Sequence, residues 1–311
     1  MATGEDVSLS PARLGAGRVI DCVDALPAAD AFTPRAPWES VLLGDPAHFD
    51  VTYVINPHMQ GQIGQVDRSK AVSQWAALAA VYRDLGYPVH VLDPVAGLPD
   101  LVFVANPSFP AKLPDGRWVV VRSRMRSELR QSEVAVHATW YETQRHALTV
   151  PLGAGAYAFE GKGDARWHPD RELIYCGYGY RTQRPALDAL AALLGAPVVA
   201  LELVDPNFYH LDTCLSPLDA TTALVVEEAF TPTGLALLRA TFPNCITVPY
   251  ADAMRFAANG NCPDGRHFIV HHGSVHTVAR VRSAGFQVIE VDTSEFIKSG
   301  GSVFCMTMML P

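Results

Sequence analysis

Four polar, glycine-containing segments carry the residues best suited to chemistry. They are residues 98–108 (LPDLVFVANPS), 159–164 (FEGKGD), 208–214 (FYHLDTC) and 299–307 (SGGSVFCMT). Each lies beside a predicted strand end, where α/β scaffolds tend to present reactive groups. Together the segments supply a thiol, an imidazole, carboxylates and amides, which are the groups of nucleophilic and acid/base catalysis.

Cys305 is the candidate nucleophile. It follows a Gly-Gly pair by a few residues, and glycines let the backbone approach a ligand closely. A thiol needs a base to become a thiolate near neutral pH, and histidine is the usual one. His210 is the best candidate, because Asp212 and Glu160 could be its neighbours. Taken alone, each cysteine or histidine is more often a core residue, and sequence spacing does not show that they meet.

Two other polar clusters compete with this assignment. His271, His272 and His276 form an HHxxxH pattern, which lacks a matching cysteine or carboxylate set at metal-ligand spacing. We interpret it as a strand end and a helix face, and expect no metal ion and no organic cofactor. The Asp, Arg and His of residues 164–168 are interpreted as a turn network rather than a catalytic triad.

Composition narrows the class of protein. The chain has 311 residues, of which 49% are hydrophobic and 18% charged, as in a globular protein with a sizeable core. The formal net charge of −8, without a Lys/Arg-rich run, predicts neither nucleic acid nor membrane as a partner. Six cysteines without a CxxC pair, and the lack of a signal pattern, lead us to expect a cytoplasmic protein. A homo-oligomer stays open.

The remaining pattern predicts an N-terminal extension at residues 1–47 and one domain at residues 48–311. Strand–helix–strand units recur there at roughly 50-residue spacing, which predicts an α/β class and an internal repeat. The predicted strands are residues 50–56, 88–93, 118–122, 172–179, 197–203, 221–230, 245–250, 267–272 and 286–292. The predicted helices are residues 67–86, 126–142, 184–195, 231–242 and 274–285.

The four segments together resemble the guanidino-group-modifying superfamily of arginine deiminases, dimethylarginine dimethylaminohydrolases, amidinotransferases and arginine dihydrolases. The order PD–VF–N, FEG-GD, FYHLDTC and GGS--CMT carries this resemblance from about Asp50 to the end of the sequence. The most similar pattern is the cyanobacterial-type arginine dihydrolase, through YVINP at residues 53–57, VF-AN and HLDTC. The resemblance implies a five-bladed, pseudo-symmetric α/β propeller of ββαβ modules, called a pentein.

The resemblance also implies roles for individual residues. Cys305 would be the nucleophile, His210 the general acid/base, and Glu160 the support of that histidine. Asp212 would clamp a guanidino nitrogen. Further residues would bind the substrate: Asn106, Asn56, Arg124, Asp100, Phe103 and Ser299. Arg124 resembles the arginine that holds the substrate α-carboxylate, with Arg122 as an alternative.

The implied reaction is hydrolysis of a small cationic guanidino compound through a covalent Cys S-alkylthiouronium. Dimethylarginine hydrolases lack an aspartate at the HxD position, so Asp212 predicts a preference for unmethylated guanidines. Asn106 stands where many deiminases have an aspartate, and its amide could tolerate a neutral ureido intermediate on the way to ornithine, ammonia and CO2. A stop at citrulline, a dimethylarginine hydrolase, an amidinotransferase and a non-catalytic amino-acid-binding protein remain as alternatives.

Overall fold

The computed structural model describes residues 17–112 and 117–311, in which short strands alternate with helices. The strands are β1 (Val19–Ile20), β2 (Ser40–Gly44), β3 (Val89–Leu92), β4 (Ser108–Lys112), β5 (Trp118–Arg122), β6 (Leu148–Pro151), β7 (Ala165–Trp167), β8 (Ile174–Tyr178), β9 (Val198–Glu202), β10 (Leu215–Pro217), β11 (Thr222–Val225), β12 (Asn244–Thr247), β13 (His267–His271), β14 (Gln287–Val291) and β15 (Met308–Leu310). The helices are α1 (Arg68–Asp84), α2 (Gln131–Gln144), α3 (Gly161–Asp164), α4 (Pro185–Leu194), α5 (Pro232–Thr241), α6 (Tyr250–Ala253), α7 (Val275–Ser283) and α8 (Ser294–Ile297).

The described strands form five small sheets rather than one large one. Their orders are β15-β2-β3, β4-β5-β6, β1-β9-β8-β7, β10-β11-β12 and β13-β14. In each sheet one strand pairs in parallel with the strand that follows it across a helix, as β5 does with β6 across α2. Parallel neighbours need such a crossover. Four of the sheets add an antiparallel strand to this pair. The predicted α/β class is confirmed, and strand–helix–strand units do recur.

Helix boundaries follow signals in the sequence. The side chain of Asp67 accepts a hydrogen bond from the Lys70 N–H at 3.0 Å and caps the start of α1. α4 begins at Pro185, whose fixed φ suits the first turn. It ends at Gly195, whose φ of +63° is accessible at little cost only without a side chain. The helices predicted at residues 67–86 and 184–195 are therefore confirmed.

The strand predicted at residues 50–56 is wrong. The segment is irregular, although its apolar residues alternate. Its polar groups are used locally, since Asp50 accepts from the Val51 N–H at 2.8 Å. Asn56 caps a short 3-10 turn at Pro57–Met59, and the Ile55 carbonyl accepts from Arg181 at 2.9 Å. The segment passes over the candidate site as a loop instead of joining a sheet.

A domain boundary after residue 47 does not agree with the packing. β2 lies in the middle of its sheet, between β15 and β3, and its five residues are buried. β1 pairs in parallel with β9. Residues 1–16 of the predicted extension lie outside the described residues. We therefore include residues from β1 onward in the main domain.

Apolar side chains fill the space between each sheet and its helix. Leu187 and Leu190 of α4, for example, are completely buried against Ile174 and Val198 of the neighbouring strands. Among residues 17–112 and 117–311, we find no helix that combines the length and hydropathy needed to cross a bilayer.

Candidate active site

The four segments identified in the sequence occupy equivalent places in the fold. Residues 98–107 precede β4, residues 159–164 precede β7, residues 208–214 precede β10, and residues 299–307 precede β15. Each of these strands is the antiparallel member of its sheet. The repeated unit therefore delivers each polar segment to a common centre.

A small buried cavity collects most of the predicted site residues. It is lined by Ile55, Asn56, Asp100, Phe103, Asn106, Arg130, Arg181, Tyr209, His210, Ser299, Gly300, Gly301 and Cys305. Its volume is about 10 Å³, which is barely enough for one water molecule. A wider outer pocket of about 410 Å³ shares Ile55, Asn56, Arg181 and Tyr209 with it. Those shared residues separate the buried cavity from the outer pocket.

Cys305 is held at the cavity by a carboxylate and an amide. Its thiol donates to Asp212 Oδ2 at 3.2 Å, and the Asn259 side-chain N–H donates to its Sγ at 3.2 Å. Asn259 Oδ1 accepts from the Cys305 backbone N–H at 3.3 Å, and its amide nitrogen also reaches the Asp212 carbonyl at 2.9 Å. Asn259 thereby fixes the thiol and Asp212 relative to each other.

The charges near the thiol leave it protonated. Burial raises the pKa of Cys305 well above its ordinary value, and the neighbouring Asp212 raises it further. Burial also raises the pKa of Asp212 to about 7. Among the described residues, Asp212 Oδ1 is buried without a hydrogen-bond partner. A cation placed here would satisfy that oxygen and favour the thiolate.

His210 is paired with Glu160. His210 Nε2 lies 2.6 Å from Glu160 Oε2, and Arg181 donates to the same oxygen at 3.1 Å. The Arg126 backbone N–H donates to Glu160 Oε1 at 2.9 Å. Burial acts to raise the pKa of Glu160, but the Arg181 guanidinium and His210 outweigh it and hold that pKa well below its usual range. An ionised carboxylate thus orients the imidazole that faces the cavity.

A second network holds Arg130 in the cavity wall. Arg130 forms a two-point ion pair with Glu133, at 2.9 and 2.7 Å, and donates to Asn106 Oδ1 at 3.0 Å. Asp100 accepts from the Tyr53 hydroxyl at 2.8 Å and from the Ser299 hydroxyl at 2.7 Å. The Asn106 side-chain nitrogen is buried without a partner among the described residues. It is therefore available to donate a hydrogen bond.

The glycine pair before Cys305 is required by close packing. Gly300 has a φ of +85°, and a Cβ there would lie 2.6 Å from Asn56 Oδ1. A Cβ on Gly301 would lie 2.3 Å from the Phe103 ring. Asn56 donates to the Ser299 carbonyl at 3.1 Å, which ties the loop at residues 53–59 to this turn.

Arg124 does not reach the cavity. Its backbone pairs with Phe159 in an isolated bridge, and its side chain lines another pocket together with Arg122. The expectation that Arg124, or alternatively Arg122, holds a substrate carboxylate is therefore corrected. Arg130 and Arg181 are the arginines that line the site.

The histidines of the HHxxxH pattern lie elsewhere. His271, His272 and Asp292 bring possible metal-ligand atoms within 4.8 Å of one another. However, His271 Nδ1 accepts the Thr293 backbone N–H at 3.0 Å, and burial lowers the pKa of His271 to about 4. The neutral ring then carries its proton on Nε2 and has no free lone pair for a metal. His276 is exposed on α7.

Sequence reasoning missed four residues of the site: Asn259, Arg130, Arg181 and Tyr209. A signal existed for Asn259, because it lies in a fifth polar segment, AANGNCPDG, in the unit that contains β13. The internal recurrence could have directed attention to that segment. Arg130 and Arg181 follow helix-like and turn-like patterns that look like solvent-exposed surface, so the sequence carried no comparable signal for them.

Comparisons with known proteins support the resemblance. A family model described as eukaryotic N,N dimethylarginine dimethylhydrolase matches residues 50–310. The N(G),N(G)-dimethylarginine dimethylaminohydrolase of Mycobacterium tuberculosis is 39% identical over 276 residues, which cover 89% of this chain and 86% of that protein. The bifunctional arginine dihydrolase/ornithine cyclodeaminase ArgZ of Synechocystis is 35% identical over 271 residues, which cover 86% of this chain and 37% of that protein.

A solved structure is similar as well. The substrate-bound N-terminal domain of ArgZ, a cyanobacterial arginine dihydrolase, superimposes with a TM-score of 0.82 and 32% identity. The match covers 87% of this chain and 97% of that domain. The similarity thus extends over nearly the whole of the ArgZ N-terminal domain.

Proposed function

Because the chain belongs to the N,N-dimethylarginine dimethylhydrolase family, we propose that it hydrolyses an unmethylated guanidino amino acid such as arginine. The family and its relatives make the chain a hydrolase of C–N bonds in guanidino groups. The observation that carries the choice of substrate is Asp212, a buried carboxylate with one oxygen on the thiol and the other without a partner among the described residues. An unmethylated guanidinium offers N–H groups to that oxygen, whereas methyl groups would leave it unpaired.

The proposed reaction begins at Cys305. The positive guanidinium lowers the pKa of the thiol, and the thiolate attacks the guanidino carbon. His210 gives its proton to the leaving amine, which departs as ammonia and leaves an S-alkylthiouronium on Cys305. His210 then takes a proton from water, whose oxygen attacks the same carbon. Collapse of the adduct breaks the C–S bond and releases the ureido product.

A second hydrolysis on the ureido product would yield ornithine, ammonia and CO2. Asn106 supports this extension, since its unpartnered side-chain N–H can donate to a neutral ureido oxygen. Arg181, at the boundary between the cavity and the outer pocket, is the proposed partner of the substrate carboxylate.

The five sheets also support a finer description of the fold. We propose that they are the blades of a five-bladed α/β propeller, with the polar segments meeting near its axis. Four of the sheets contain the same antiparallel-then-parallel arrangement that a ββαβ module requires.

Dimethylarginine hydrolysis is the second candidate, favoured by the family match and by the mycobacterial relative. Parallel assays with arginine and with asymmetric dimethylarginine distinguish the two. We expect arginine to be turned over faster, with ornithine as the final product. Citrulline alone from arginine would identify a deiminase, and faster turnover of dimethylarginine would refute the argument from Asp212. Formation of a transferred amidino product with glycine present would identify an amidinotransferase.

A further inference from the structure

A second cavity, lined on one side by Phe304, the residue before Cys305, contains three cationic side chains. The cavity has a volume of about 230 Å³, and its wall includes Arg35, Lys162, Arg166, Trp38 and Phe304. None of these five residues lines the cavity around Cys305. Since about 10–15 Å³ suffices for one water molecule, this space admits a polyatomic ligand.

The cations in this cavity are deeply buried. Lys162 is 3% exposed and Arg166 is 5% exposed. Burial, followed by the nearby Arg166 and Arg35, holds the pKa of Lys162 well below its usual range. Burial also lowers the pKa of Arg166 to about 10. Buried cations normally have a carboxylate partner, because an unpaired buried charge is costly.

Within residues 17–112 and 117–311, these three cations have aromatic and carbonyl partners but no ion pair with a carboxylate. Lys162 Nζ lies 4.8 Å from the Trp38 ring centre and 5.2 Å from that of Phe304. Arg166 stacks on Phe304 at 3.7 Å and donates to the Leu215 carbonyl at 2.5 Å. Arg35 stacks on Trp38 at 4.1 Å and donates to the carbonyls of residues 168 and 169.

Three carboxylates at the cavity wall are engaged elsewhere. Asp170 pairs with His168 at 2.8 Å, and Asp264 pairs with His267 at 2.5 Å. Asp219 accepts the backbone N–H groups of Thr221 and Thr222 at 2.8 and 2.7 Å. They leave the cations with N–H groups that no carboxylate receives.

We propose that this cavity, defined by Arg35, Lys162 and Arg166, binds a small oxyanion of the phosphate or carboxylate class. Two guanidinium groups and an ammonium supply the charge-assisted donors that such an anion prefers. The aromatic faces of Trp38 and Phe304 hold the cations in place from the sides. The site is separate from guanidine hydrolysis, because its donors are not those that line the cavity of Cys305.

Calorimetric titration of the full chain with inorganic phosphate tests the proposal, against chloride at matched ionic strength. We expect saturable phosphate binding that Lys162→Met weakens at least tenfold. Arg35→Gln should weaken it similarly, and keeps the test valid if the buried Lys162 variant fails to fold. Lys70→Met, at an exposed lysine outside the cavity, should bind phosphate like the unaltered chain.

A second titration with succinate identifies the kind of oxyanion. Binding of either anion that depends on Lys162 or Arg35 supports the site. Heat no greater than that of chloride with both anions overturns it, as does an affinity unchanged in both variants. Arg181→Gln separates this site from the catalytic one, because loss of binding there alone would place the anion at the substrate pocket. The measurement needs no turnover, so its failure would leave the proposed hydrolysis untouched.

Discussion

The candidate site contains two fully buried carboxylates whose surroundings are opposite. Glu160 is surrounded by donors from His210, Arg181 and the Arg126 backbone, and its pKa lies well below the usual range. Asp212 receives the Cys305 thiol on one oxygen and has no ion pair among the described residues, and burial raises its pKa to about 7. The Glu160 half is electrostatically complete by itself. The Asp212 half is completed by a cation, which is the property of a guanidinium substrate.

The strongest test of the Asp212 half is its thiol. Cys305→Ser should reduce turnover on the order of a thousandfold or more, because a hydroxyl is far harder to deprotonate than a thiol. Folding, measured by thermal unfolding, should be retained. Cys214→Ser is the matched control, since Cys214 is an equally buried thiol that donates only to backbone carbonyls. Full activity in Cys305→Ser would remove the proposed mechanism.

Glu160→Gln tests the completed half. The variant leaves Arg181 buried without its charged partner, and breaking a buried ion pair costs about 3–5 kcal/mol. We expect both lower turnover and a lower midpoint of thermal unfolding. The stabilising effect of an ionised Glu160 exists above its unfolded pKa and is lost as pH falls. A variant as stable as the unaltered chain at pH 7 would show that the two halves do not differ in this way.

Asp212→Asn should separate activity from stability. A folded-state pKa raised to about 7 means that the native carboxyl holds a proton that the unfolded one releases, so its contribution to stability is lost as pH rises from about 4 through 7. The amide cannot ionise, and we expect the variant to be more stable at pH 8, by on the order of 1–2 kcal/mol, with little change at pH 4. Turnover should still fall strongly. Destabilisation at pH 8 would contradict the assignment of Asp212 as the uncompensated carboxylate.

Asn259→Ala should have an intermediate effect confined to the thiol half. The change removes the bonds that hold Cys305 and Asp212 together, and we expect kcat to fall about 10- to 100-fold. Asn261→Ala is the control, because Asn261 is also buried but donates to the Tyr82 hydroxyl. Equal losses of kcat in both variants would indicate a general packing effect instead of a local one.

Prolonged chelation should have the smallest effect of all. Neither half of the site presents a metal-ligand set, and the proposed steps use only a thiol and an imidazole. Activity should therefore stay unchanged after chelation, whereas a thiol-alkylating agent should abolish it, with substrate protecting. Activity lost on chelation and restored by zinc would return attention to His271, His272 and Asp292.

The sequence predicted the site's chemistry better than its connections. Cys305, His210, Asn56, Asn106 and Ser299 line one cavity because the repeated unit places equivalent segments at a common centre. The family resemblance that these segments carry is confirmed by the match over residues 50–310. The roles assigned to individual residues remain proposals, supported by their geometry.

The errors share a physical cause. Residues 50–56 alternate like a strand, but contacts with distant groups such as Arg181 hold them as a loop. Ser40–Gly44 looked irregular because a strand buried on both faces need not alternate, and its neighbours β3 and β15 come from far along the chain. Arg124 was chosen over Arg181 because alignment of a short motif does not reveal which way a side chain points.

The pairing of β15 with β2 has a consequence for how the protein folds. Cys305 precedes β15, which closes against a strand near the other end of the described chain through the register Met308 to Leu42. Such a long loop closes slowly, because its entropy must be lost before the contact stabilises anything. Partly folded chains therefore lack an assembled nucleophile, and the appearance of activity during refolding should report the final long-range closure of the chain.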